Sequence, residues 1–119
     1  MDGGQRRRVL VVEDDEGIRE ALCDLLETEG FDVVSAVHGR DALDKLKNSG
    51  PQPDVILLDL MMPVMDGWAF RAEQQSDPAL AEIPVVVITA SRQADLATLN
   101  PRAFLKKPID FDELLRALV

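Results

Sequence analysis

Short apolar runs alternate along the chain with stretches whose apolar residues recur every three or four positions. Residues 9–12 (Val-Leu-Val-Val) form a short, mostly β-branched run, the pattern of a strand buried on both faces. Ile18, Leu22, Leu25, Leu26 and Glu29 then follow at helical spacing, with Gly30 as a stop. Residues 31–34 read as a second strand. A helix over 41–48 carries Ala42, Leu43 and Leu46 on one face and ends at Gly50-Pro51. A third strand over 55–58 leads directly into Asp59, and a helix over 68–75 follows Gly67. Pro84 opens a fourth strand over 85–88 that delivers Thr89. Residues 92–99 hold a short helix at best. A weak fifth strand lies over 103–105, and Asp110 is placed to cap a last helix over 111–119, with Leu114, Leu115 and Leu118 inward. Five strands alternating with helices predict an α/β fold, a doubly wound parallel sheet covered on both faces.

Composition narrows the function classes. The 119 residues make one domain, 46% apolar and 29% charged, in the range of a folded globular protein. A net charge of −9 argues against direct contact with nucleic acid or an anionic membrane, both of which need a basic face. Arg6, Arg7 and Arg8 are the one basic cluster, expected to be part of a solvated, flexible arm over residues 1–8. The single cysteine, Cys23, excludes an intrachain disulfide and falls just beside the apolar stripe of its helix. The apolar run ending at Glu13 is too short for a signal-peptide core, so a cytoplasmic protein is expected.

The carboxyl ends of the strands gather the chemistry. In an open α/β sheet, ligands bind just outside those ends. Strand one ends in Glu13-Asp14-Asp15, strand three in Asp59, strand four in Thr89, and strand five is followed by Lys107. Acids after a strand also suit a helix N-terminus, and Asp15 and Glu16 are assigned only that role. Converging carboxylates repel one another, by roughly 4 kcal/mol for a pair about 4 Å apart at an effective dielectric of about 20. A hard divalent cation relieves this, and Mg²⁺ suits a site of few carboxylates that also meets phosphate oxygens. A carboxylate can itself attack phosphorus, with Lys107 and Thr89 stabilising the phosphoryl oxygens.

Four blocks make the pattern specific: Val11-Val12-Glu13-Asp14-Asp15, residues 57–67 (LLDLMMPVMDG), Ile88-Thr89-Ala90 and Leu105-Lys106-Lys107-Pro108. In order and spread across the whole chain, they resemble the signature blocks of bacterial response-regulator receiver domains. The resemblance implies a flavodoxin-like strand order 2-1-3-4-5, Asp59 as phosphoacceptor and Asp14 as direct ligand of Mg²⁺. Glu13 would reach the metal through water, and Met61 would offer its backbone carbonyl. Thr89 would be the switch hydroxyl, Phe104 the switch aromatic and Lys107 the phosphate-pairing cation. It also implies a cis bond before Pro108. A histidine kinase or histidine phosphotransfer protein would act upstream, and a protein target downstream.

Other residues carry no assigned chemistry. His38 is expected to be a solvated loop side chain, Trp68 to pack at a helix start, and Asp66-Gly67 to form a turn. Met61, Met62 and Met65 form no helical stripe.

The chain departs from the family in one region. Only 17 residues separate Thr89 from Lys107, which shortens the fourth helix within residues 91–99. Asn100 stands where a glycine is common; it tolerates positive φ, although Pro101 pulls it toward an extended form. With room for about two helical turns over 92–99, a frayed turn and a monomeric protein are expected. Two other classes compete: a pseudo-receiver that binds partners without phosphorylation, and a Mg²⁺-dependent phosphatase with an aspartate nucleophile. The latter pattern has a second acid two residues after the nucleophile, where this chain has Met61.

Overall fold

The computed structural model describes residues 6–48, 50–90 and 99–119. Among them are five strands, β1 (Arg8–Val12), β2 (Asp32–Ala36), β3 (Val55–Asp59), β4 (Val85–Thr89) and β5 (Ala103–Lys106). Four helices accompany them: α1 (Glu16–Thr28), α2 (Gly39–Lys47), α3 (Gly67–Ser76) and α4 (Phe111–Leu118). The strands form one parallel sheet in the order β2-β1-β3-β4-β5, as the resemblance implied. No described helix is long and apolar enough to cross a membrane.

Strand alternation divides the core in two. Leu10, Val12, Ile56, Leu58, Val85 and Val87 point to one face, where they meet Leu43 and Leu46 of α2 and Phe70 of α3. Val9, Val11, Val55, Leu57, Val86 and Ile88 point to the other, against Leu22 and Leu26 of α1 and Leu114 and Leu118 of α4. Both faces are covered by helices, which is why β1, β3 and β4 read as unbroken apolar runs. Cys23 packs at the margin of the second cluster, as its flank position suggests, and Trp68 packs against the first.

All four helices start with a side-chain cap. Asp15, Asp66 and Asp110 accept from the amides of Ile18, Ala69 and Glu113 at 2.9, 2.9 and 3.1 Å. The fourth cap corrects the sequence reading: His38 is no solvated loop side chain, because its Nδ1 accepts from the Asp41 amide at 3.1 Å and closes the start of α2. Strand β2 begins one residue later than expected and runs on to Ala36. Phe31 precedes it, with its amide bonded to Leu26 O at 2.9 Å.

The expected arm ends earlier than residue 8. Arg8 belongs to β1, bonds Asp32 Oδ2 through Nε (3.0 Å) and Nη2 (2.6 Å), and its amide donates to Asp54. Arg7 Nε donates to Leu118 O at 2.7 Å. Both arginines find oxygens brought close only by the folded sheet. Residues 1–5 lie outside the described residues, as do 91–98, where the short fourth helix was expected. Leu99, which follows them, is buried, and Asn100 has φ 47°, so the left-handed conformation prevails over the pull of Pro101.

A polar bracket inside the first core was not foreseen. Arg71 is 7% exposed; its Nε and Nη2 donate to the carbonyls of Leu99 (2.8 Å) and Asn100 (3.1 Å), and Nη1 to Gln74 Oε1 (2.7 Å). Fully buried Gln74 in turn donates to the carbonyls of Leu80 and Ile83, both at 3.0 Å.

Candidate functional site

The carboxyl ends of β1, β3 and β4, with the residue following β5, meet at one rim. Register sets Asp59 beside Ile88 and Thr89 beside Lys106. The Lys107 amide donates to Thr89 O at 3.0 Å, and the Lys107-Pro108 bond is cis. Glu13 and Thr89 are fully buried, Asp59 is 2% exposed, and Asp14 is exposed.

Glu13, Asp14 and Asp59 each turn a carboxylate oxygen to a common point, these oxygens lying within 4.8 Å of one another. Lys107 Nζ lies 3.2 Å from Glu13 Oε1 and 3.4 Å from Asp59 Oδ2. Amides of Asp15 and Met61 donate to Glu13 Oε2 (3.2 Å) and Asp59 Oδ1 (3.3 Å). Glu13 Oε1 nevertheless has no partner in hydrogen-bond geometry, since its contact with Lys107 is electrostatic and off-direction. A buried carboxylate oxygen without a donor, beside a second carboxylate, is the environment a cation satisfies, and an all-oxygen donor set is the kind Mg²⁺ takes.

The electrostatics follow from this crowding. Burial, then the neighbouring charge of Asp59, pushes Glu13 up to about 7. Burial also raises Asp59, against the hydrogen bond from Glu13 and the charge of Lys107. Both acids are thus held above their ordinary values, each by burial first. Burial disfavours the ammonium of Lys107, but Asp59 and Glu13 outweigh it and hold its pKa above the ordinary lysine value.

The loop after β3 shows why the sequence continues Asp66-Gly67 there. A Cβ on Gly67 would stand 2.8 Å from Leu60 Cα and 3.1 Å from Asp59 O, so α3 starts directly on the backbone that carries Asp59. The pair is more than a turn: Asp66 caps the helix and Gly67 permits the approach. In the same loop Met61 is 60% exposed, and Val64 has φ 67°. Phe104, half-buried on β5 beside Val87, packs against the first core cluster.

One participant escaped the sequence reading. Arg19 Nη1 donates to the carbonyls of Glu13 (2.9 Å) and Asp14 (3.3 Å). Its only signal in the sequence is a cation one turn into the helix after the acid pair.

Known proteins resemble the chain over most of its length. Residues 9–119 match the family model described as "Response regulator receiver domain". Response regulator MprA of Mycolicibacterium vanbaalenii is 38% identical over 112 residues, 91% of this chain and 47% of that protein. The phosphate regulon transcriptional regulatory protein PhoB of Escherichia coli is 43% identical over 84 residues, 71% of this chain and 36% of that protein. The chain thus spans about half the length, or less, of these relatives. Among solved structures, chemotaxis response regulator CheY4 of Vibrio cholerae superposes with a TM-score of 0.83 at 27% identity, covering 96% of this chain and all of that one. The bacteriophytochrome response regulator AtBRR gives 0.82 at 34% identity, over 95% of this chain and 90% of that one.

Proposed function

Because the chain belongs to the response regulator receiver domain family of two-component systems, we propose that it is a phosphorylation-controlled module whose acceptor is Asp59. The observation that carries this reading is the near-complete burial of Asp59 at the point where the acid cluster and Lys107 meet. Asp14 and Asp59 would hold Mg²⁺, with Glu13 reaching it through water and the backbone carbonyl of Met61 completing the protein's share. When bound, the cation supplies charge neutralisation for the phosphoryl oxygens.

The chain's own residues do the rest. An ionised Asp59 oxygen attacks the phosphorus of a phosphohistidine; the P–O bond forms as the P–N bond breaks, and the leaving nitrogen takes its proton from solvent. No general base is needed, since the carboxylate is already the attacking form. Lys107, 3.4 Å from Asp59, is placed to exchange its carboxylate partner for a phosphoryl oxygen. Thr89 donates its hydroxyl to another, and Phe104 fills the space behind it.

A histidine kinase or histidine phosphotransfer protein is the proposed donor and a protein target the proposed reader, with the receiver acting in the cytoplasm as a monomer. Nucleic acid and membrane are not proposed as direct partners of these residues, whose charge is −9. The chemistry is confined to phosphorylation and hydrolysis at Asp59, so the module signals and does not turn over a separate substrate. Met61, where the aspartate-nucleophile phosphatases have their second acid, offers only a thioether.

Incubation with acetyl phosphate and Mg²⁺ should add one phosphoryl group by mass spectrometry, and Asp59→Asn should add none. Unchanged incorporation in the variant overturns the assignment of Asp59. No incorporation in the wild type, from acetyl phosphate or a kinase, favours the pseudo-receiver reading.

A further inference from the structure

Arg19 grips the acid pair by its backbone. The guanidinium, on the first turns of α1, reaches back under the loop and takes the carbonyls of Glu13 and Asp14 together. Its own amide donates to Asp15 O at 2.9 Å, and Asp15 caps the same helix. The Glu13 amide meanwhile donates to Ala36 O at 3.1 Å. The link from β1 to α1 is thus tied to β2, to the helix start and to the Arg19 side chain.

That third tie answers a physical need of the site. Three carboxylate oxygens held within 4.8 Å repel, and the repulsion is relieved most easily where a side chain can reach water. Glu13 is fully buried, whereas Asp14 is exposed and free to swing outward. Among the described residues no side chain holds the Asp14 carboxylate, and Arg19 holds the backbone that carries it. Arg19 bonds carbonyls and not carboxylates, so it uses none of the oxygens a cation requires.

We propose that Arg19 is a positioning residue for the divalent-cation site, keeping the Glu13-Asp14 pair directed at Asp59 against carboxylate repulsion so that the cation meets an assembled site. The inference rests on the Mg²⁺ reading above and extends it to a residue that touches neither cation nor phosphoryl group.

The test uses the unphosphorylated chain, melted over a series of Mg²⁺ concentrations, with the apparent Kd taken from the rise in Tm. Arg19→Met should weaken Mg²⁺ about tenfold, the lower end of what loss of a ligand-orienting partner does elsewhere. Arg19→Lys, which keeps a donor and the helix propensity, should fall between the two and serves if the Met variant does not fold. A lower Tm at every Mg²⁺ concentration with an unchanged Kd would reduce Arg19 to a helix stabiliser and overturn the proposal. A wild type whose Tm does not respond to Mg²⁺ would instead sink the Mg²⁺ reading, and this inference with it.

Discussion

Lys107 Nζ stands 3.2 Å from Glu13 Oε1, nearer than the 3.4 Å that separates it from Asp59 Oδ2. The lysine assigned to the phosphoryl group thus divides its charge between the proposed acceptor and a second, fully buried acid. Phosphorylation would redistribute this arrangement, since a phosphoryl oxygen offers Lys107 a stronger partner than either carboxylate.

The raised pKa of Glu13 gives a pH dependence with a definite sign. Its ordinary value is 4.5 and its folded value about 7. Between the two, the folded chain retains a proton that the unfolded chain has released. Stability from this group is therefore complete below about 4.5 and is lost as pH rises through about 7. Without metal, Tm should fall from pH 5 to pH 8 (round values set by that window) more steeply in the wild type than in Glu13→Gln. The difference should be at most about 3 kcal/mol. Parallel pH profiles for the two proteins would contradict a raised Glu13 pKa.

Thr89 should matter to the response more than to acceptance of phosphate. Phosphorylation shifts a two-state equilibrium only through contacts that differ between the states. Thr89 lies at the end of β4 with its carbonyl already held by the Lys107 amide, so Thr89→Ala keeps the strand end in place. The variant should take up the phosphoryl group yet lose much of the amide chemical-shift change seen in the wild type. A full-sized change would remove Thr89 from the switch.

Arg71 should be costly to replace. Arg71→Met keeps the apolar stem but strips donors from Leu99 O, Asn100 O and Gln74 Oε1. Buried oxygens left without donors cost about 1–3 kcal/mol each before relaxation, so urea unfolding should register a loss of about 2–4 kcal/mol. A loss below about 1 kcal/mol, the net worth of a single ordinary hydrogen bond, would show that water or a rearrangement replaces the bracket.

Val64 should gain from replacement by glycine. A β-branched residue at φ 67° pays the left-handed penalty, about 1–2 kcal/mol, and its side chain is 80% exposed, so little packing is lost. The greater freedom of glycine in the unfolded chain offsets part of the gain. Val64→Gly should raise stability by up to about 1 kcal/mol in denaturant titration, and a lower Tm would mean that the valine makes contacts worth more than its strain.

Much of this protein is legible in its order of residues, because strand and helix periodicity are local properties. The runs at 9–12, 55–58 and 85–88 place three buried strands, and the acids, hydroxyl and lysine that follow the strands fall on one rim of any parallel sheet. Asp110 as a cap follows from the chemistry of a single residue, whereas the opposed pulls on Asn100 are decided only in the fold, at φ 47°. Other features depend on partners distant in sequence. Arg71 and Gln74 are polar residues within α3, yet they are buried, because Leu99, Asn100, Leu80 and Ile83 bring carbonyls that need donors. Arg7 and Arg8 read as a solvated arm until Leu118 and Asp32 are folded against them. Arg19 and the depth of Glu13 belong to the same class. Spacing along the chain tells which residues share an element's face, but a buried polar atom takes whichever partner the packing of other elements delivers, and only the assembled sheet decides that.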